Sequence, residues 1–162
     1  MEMSEFTVDI KMHKYLAQWL AHEMGGEPIE LPRGSCESKI LQVYMTRPPQ
    51  GQSTEVSQDN MATVKVYIPD NKIKDPMYYH YLPKDAQRLF VKCVRDRFTI
   101  KLFKDLRSIG NIGVERKDLI VAWMRSNGIE YTGSNWDLIE KAYLRAQNSY
   151  RQANHRLKKN RK

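Results

Sequence analysis

The sequence predicts an α+β fold, mainly helical, with a small sheet in the N-terminal half, a long central helix and a C-terminal helical hairpin that is helix-turn-helix-like. Three observations predict it. Val64, Val66 and Ile68 alternate with Lys65 and Tyr67, the period-two pattern of a half-buried strand. After Pro83, which suits a first helical turn, Ala86, Leu89, Phe90, Cys93, Val94, Phe98, Leu102, Phe103 and Leu106 recur at helical spacing over about seven turns. Two shorter helical patterns follow, with Asn127 and Gly128 closing the first of them.

The remaining elements follow in chain order. Met12, Tyr15, Leu16, Trp19 and Leu20 form an i, i+3, i+4, i+7, i+8 series that predicts a helix over 11–24, ended by Gly25 and Gly26 as left-handed caps. Ser35 can cap a second helix with Cys36, Ile40, Leu41 and Tyr44 facing inward, stopped by Arg47, Pro48 and Pro49. The polar stretch 50–60 reads as a surface loop or hairpin tip. A strand cannot satisfy its own backbone, so 63–69 must pair with 42–46, 55–57 or 6–10. Within the hairpin, Leu119, Ile120, Trp123 and Met124 face inward from the first helix, while Trp136, Ile139, Ala142, Tyr143, Ala146 and Tyr150 do so from the second. Ser134 with Asp137 resembles a capping box for that second helix.

At 162 residues the chain is expected to be one α+β domain over 1–155 with a basic tail at 156–162. Leu, Ile, Val and Phe together number 36, just above the level associated with disorder, so a thin core is expected. The charge is unevenly placed. Residues before Pro83 carry 8 Lys/Arg and 11 Asp/Glu, and those after it carry 19 and 8, which separates an acidic part, 1–83, from a basic helical part, 84–155, and its tail. A one-signed field of that size attracts polyanions, of which nucleic acid is the commonest inside cells. No apolar run approaches the roughly 20 residues needed to span a bilayer, and the first ten residues lack the basic-then-apolar order of a signal peptide. A soluble, cytoplasmic protein with no membrane partner is expected.

Catalytic signatures are weak. His13, His22, His80 and His155 lack metal-ligand spacing, and Gly110 and Gly113 are not followed by the Lys-Ser/Thr of a phosphate loop. Cys36 and Cys93 stand 57 positions apart on predicted apolar helix faces, where a buried structural thiol is the default and a disulfide framework is not expected. Asp70 with Glu115 and Lys117 faintly echoes a metal-dependent nuclease. That chemistry takes its second acid and lysine from alternate strand positions, however, whereas Glu115 and Lys117 open a predicted helix. No catalytic residue, metal or cofactor is assigned.

Binding features are stronger. The last helix bears Lys141, Arg145 and Arg151 with Asn135, Gln147, Asn148 and Gln152 among them, residue types that contact phosphates and base edges. The tail adds Arg156, Lys158, Lys159, Arg161 and Lys162, which could track phosphates while remaining unstructured. An ordinary hairpin with a solvated outer face would show the same residues. Tyr78, Tyr79 and Tyr81 suit either base stacking or core cover, the second being commoner ahead of a long helix.

The chain also resembles a family of small proteins of phages and mobile elements of Bacteroides-type bacteria. The likeness lies in Tyr15, Leu16, Trp19 and Leu20 followed by Gly26, Pro28 and Leu31, in the strand end Ile68-Pro69, and in Gly128-Ile129 ahead of Ile139, Lys141, Tyr143 and Arg145. The family has no established activity, so the resemblance implies a setting: a bacterial or phage-infected cytoplasm and a DNA-associated accessory role. The expected function is a non-enzymatic nucleic-acid-binding accessory protein, for DNA, through Lys141, Arg145, Asn148, Arg151, Arg156, Lys158, Lys159 and Arg161. The alternative is a protein-interaction or virion component.

Overall fold

The computed structural model describes residues 5–51, 58–109 and 113–159. Among them the elements run β1 (Thr7–His13), α1 (Lys14–Met24), α2 (Cys36–Tyr44), β2 (Met61–Tyr67), α3 (Lys84–Ile109), α4 (Arg116–Ser126) and α5 (Gly133–Lys159). The predicted α+β class, the small N-terminal-half sheet, the long central helix and the C-terminal hairpin are all present. The chain divides into two compact units, Met1–Arg95 and Asp96–Lys162, with the boundary inside α3.

In the N-terminal unit β1 and β2 pair antiparallel, from Thr7 opposite Tyr67 to His13 opposite Met61. Of the three partners left open for the strand, the N-terminal one is realised. Val8, Ile10 and Met12 alternate inward along β1, as Val64 and Val66 do along β2, and all five are buried. Met12 is therefore a strand residue. It fits the helical series that follows it and the period-two series that precedes it, and pairing with Ala62 settles the choice. The far edge of β2 is covered at Ile29, whose N–H donates to Lys65 O at 2.7 Å and whose carbonyl accepts from Tyr67 N at 2.9 Å. Tyr15, Leu16, Trp19 and Leu20 of α1, Ile40 and Leu41 of α2, and Ala86, Phe90 and Val94 of α3 complete this core. Gly25, at φ 86°, ends α1 in the left-handed conformation its sequence suggested.

Ser35 does cap α2, its hydroxyl accepting from Ser38 N at 3.1 Å. That cap sets a rotation that buries Glu37, Ser38, Ile40 and Leu41 and leaves Cys36 and Tyr44 exposed, against the inward placement expected for both. Cys36 is instead joined to Cys93 of α3 in a disulfide that the sequence spacing gave no reason to expect, with Cα atoms 6.6 Å apart. That separation lies within the reach of such a bridge, about 4.4–6.8 Å.

In the C-terminal unit Phe98, Leu102 and Leu106 of α3 are buried with Ile120, Trp123 and Met124 of α4, Ile129, and Ile139 of α5. Trp123 stands edge-on to Phe98 with ring centroids 5.5 Å apart. Its indole N–H donates to Asp105 Oδ2 at 3.0 Å, and Lys101 Nζ reaches the same oxygen at 3.2 Å. Burial alone would raise the Asp105 pKa, but the Trp123 N–H and the Lys101 ammonium outweigh it and hold the carboxyl below its ordinary range. α4 closes on Asn127, whose side-chain amide donates back to Trp123 O at 2.8 Å, and on Gly128 at φ 69°.

Two boundaries of α5 differ from expectation. Its N-terminal cap is Thr132, whose hydroxyl accepts from Asn135 N at 3.1 Å, so the helix begins ahead of the Ser134 box. Asp137 is a short acid and reaches back less well than the Glu or Gln such a box prefers. At the other end α5 runs through Lys159, so Arg156, Lys158 and Lys159 are helical residues and not a tail. No Gly or Pro interrupts 134–159, and cations in a last turn suit the helix dipole. Trp136, expected on the inward face, is half-buried.

Candidate nucleic-acid interface

As far as Tyr150 α5 is packed on one side and exposed on the other; beyond it the helix is exposed nearly all round, Leu157 included. Its inner side meets α3 through Phe103, whose ring lies 6.1 Å from that of Tyr143 and 5.5 Å from that of Tyr150. The Arg107 guanidinium sits 4.1 Å from the Tyr150 ring centroid, a cation–π contact. A hydrogen bond with Asn154, opposed by partial burial and aided by the Arg107 charge, lowers the Tyr150 pKa. These contacts, with fully buried Ile139, fix the rotation of α5 about its axis.

That rotation decides what the outer side displays. At 3.6 residues per turn Lys141, Arg145, Asn148, Gln152, Arg156 and Lys159 fall within an arc of about 80°, opposite Tyr143 and Tyr150. The row is about 27 Å long at 1.5 Å per residue. Arg151 and Lys158 flank it along one edge. All eight side chains are exposed. From Lys141 to Lys159 there are six Lys/Arg and no Asp or Glu. The nearest acid, Glu140, faces Arg116 of α4 at 3.9 Å. Among the described residues none of Lys141, Arg145, Asn148, Arg151, Arg156, Lys158 or Lys159 is engaged in an ion pair. Such charges stay hydrated and available to an external anion at little desolvation cost.

The sequence-predicted residues are thus brought together, apart from Arg161, which lies outside the described residues. Gln152, named with them among the polar residues of this helix, belongs to the same row, whereas Asn135 is buried and Gln147 half-buried. The connection between α4 and α5 is six residues, 127–132, compared with the three or four of DNA-binding helix-turn-helix units.

The other candidates are dispersed. Tyr79 takes the Arg47 guanidinium 5.4 Å from its ring centroid, and Tyr81 bridges to Thr46, which leaves Tyr78 alone exposed among the three. Glu115 is the N-cap of α4 and Lys117 lies in its first turn, so they do not alternate along a strand as the nuclease pattern needs. Among the described residues no group of three or more His, Cys, Asp or Glu side chains could hold a metal, and no helix is long and apolar enough to cross a membrane. No family model, curated protein or solved structure matches the chain.

Proposed function

We propose that the C-terminal unit is a nucleic-acid-binding element for duplex DNA, and that the protein is a non-enzymatic accessory protein of a phage or mobile element acting in the bacterial cytoplasm. One observation carries the reading: the acid-free, exposed row from Lys141 to Lys159 along one side of α5. Lys and Arg at regular rise along one line can neutralise successive phosphates and release their counterions, while Asn148 and Gln152 within the row are suited to base edges.

Fluorescence anisotropy with a labelled mixed-sequence duplex, without added metal, tests it across salt concentration. With about five phosphates neutralised, log K against log salt should have a slope near −4.5. Absence of binding at low salt would remove the proposal. A protein partner is the second reading, favoured by the exposed apolar side chains Val43, Tyr44, Ile73, Met77 and Tyr78 on the N-terminal unit.

A further inference from the structure

The two cysteines of the chain sit on different helices of the N-terminal unit and differ in what they can meet. Cys36 is the first residue of α2 and is exposed, whereas Cys93 is half-buried within α3. Their Cα atoms are 6.6 Å apart and their sulfurs are joined. An accessible sulfur with a second, more sheltered one within bonding reach is the arrangement of a redox-sensing pair, in which the first meets the oxidant and the second resolves the product. A purely structural bridge is the other use of such a pair. Structural bridges serve mainly small secreted domains that cannot build a sufficient core, and this unit buries Ile10, Leu16, Trp19, Leu41, Val66 and Phe90 around its sheet without one.

The surroundings of Cys36 favour its reactive form. The first residue of a helix meets the positive end of the helix dipole, which favours a thiolate over a thiol. The Ser35 cap, through its bond from Ser38 N, holds that first turn of α2 in place. Lys39, exposed three positions on and so on the same face, adds a cation, while the adjacent acid, Glu37, is buried.

We propose that Cys36 and Cys93 form a peroxide-responsive thiol–disulfide switch that locks the start of α2 to α3. In the reduced chain the Cys36 thiolate attacks the terminal oxygen of a hydroperoxide, ROOH. The O–O bond breaks, RO⁻ leaves and takes up a proton as ROH, and Cys36 becomes a sulfenic acid. The Cys93 sulfur then gives up its proton and attacks the Cys36 sulfur, expelling hydroxide, which takes that proton as water and leaves the disulfide. Two equivalents of a small thiol reverse the change and are themselves joined as a disulfide. Oxidation closes a loop spanning 57 positions and fastens the N-terminal end of α2. The other end is fastened in either state, by Asn71 Nδ2 on Gln42 O at 3.1 Å and by Lys74 Nζ on Met45 O at 3.0 Å. The switch therefore acts on the start of α2 and is independent of DNA binding by α5.

Peptide mapping by mass spectrometry tests it, on the reduced full chain treated with hydrogen peroxide in the presence and absence of dimedone, which traps sulfenic acids. Dimedone should label Cys36 at least tenfold more than Cys93, and without it the two cysteine peptides should be recovered joined. Cys93→Ser should raise the labelling of Cys36 at least tenfold, since no second thiol consumes the sulfenic acid, and Cys36→Ser should leave Cys93 a thiol. Amide exchange at 38–42 should be at least tenfold slower in the oxidised than in the reduced wild type, a comparison that stands even if a substitution misfolds the chain. Labelling of Cys93 ahead of Cys36, survival of both thiols, advance of Cys36 to the sulfinic acid with no disulfide formed, or equal exchange at 38–42 in the two states would overturn the proposal. So would a disulfide that excess small thiol cannot open in the folded chain, which would make the bridge structural.

Discussion

The two units divide the molecule's charge and its construction differently. The N-terminal unit is formally neutral, with 12 charges of each sign, whereas the C-terminal unit carries 15 Lys/Arg against 7 Asp/Glu and so accounts for the whole net charge of +8. The N-terminal unit is assembled from distant segments: β1 with β2, Cys36 with Cys93, Thr46 with Tyr81. The C-terminal unit is assembled from neighbours, since the end of α3, α4 and α5 follow one another along the chain. A unit made from adjacent helices needs few polar surface positions for its own construction. One side of α5 is consequently released to carry charge of one sign, at the cost of self-repulsion that a thin core must offset.

Stability measurements that report on each unit separately would break or sharpen this contrast. Trp123→Ala has the largest expected effect, about 3–5 kcal/mol, because it empties a buried indole site and strips Asp105 of a donor. Hydrogen exchange should show the loss concentrated in 96–159, and Trp136→Ala, at a half-buried position, should cost clearly less. Next comes Cys36→Ser, or reduction of the wild type. Opening a loop that spans 57 positions removes up to about 4 kcal/mol in the chain-entropy account, and thermal unfolding with and without reductant should register it in the N-terminal unit. In a reducing cytoplasm the same two sulfurs would be held as thiols.

Lys141→Ala with Arg145→Ala should leave the melting temperature near wild type, since both side chains are exposed, and flatten the salt slope of duplex binding by about 2. An unchanged slope would mean that the row on α5 is only a solvated surface. The smallest effect concerns acid. The Asp105 pKa is lowered on folding, so its contribution is complete above the unfolded carboxyl pKa of about 4 and is lost as pH falls through the lower folded value. Unfolding of the C-terminal unit followed between pH 5 and 2 should therefore be steeper in wild type than in Asp105→Asn.

Much of this was legible in the sequence because single patterns were unambiguous. The apolar repeat after Pro83 yields α3, Val64 and Val66 yield β2, and the cations of α5 need only a helix to become a row. What failed did so for identifiable reasons. Met12 satisfies both a strand and a helix period, so local pattern alone cannot place it. Thr132 and Ser134 are both competent caps, and backbone geometry chose the earlier one. The run from Arg156 was read as a tail because charge runs often are, although nothing in it breaks a helix. The Cys36–Cys93 pairing joins segments far apart in sequence, which no local window can relate.

The pairing of β1 with β2 also imposes a timetable on the nascent chain. Thr7 is made 60 residues ahead of its partner Tyr67, and His13 is made 48 ahead of Met61. At about 5–20 residues per second, the completed first strand waits roughly 2–10 seconds before any part of its partner exists, with Val8, Ile10 and Met12 uncovered meanwhile. The hairpin of α4 and α5 closes over a six-residue connection within microseconds to milliseconds of its emergence. The half of the molecule synthesised first is thus the half most dependent on what comes later. During that interval an unpaired β-forming segment near the N-terminus is the stretch on which a holdase would act.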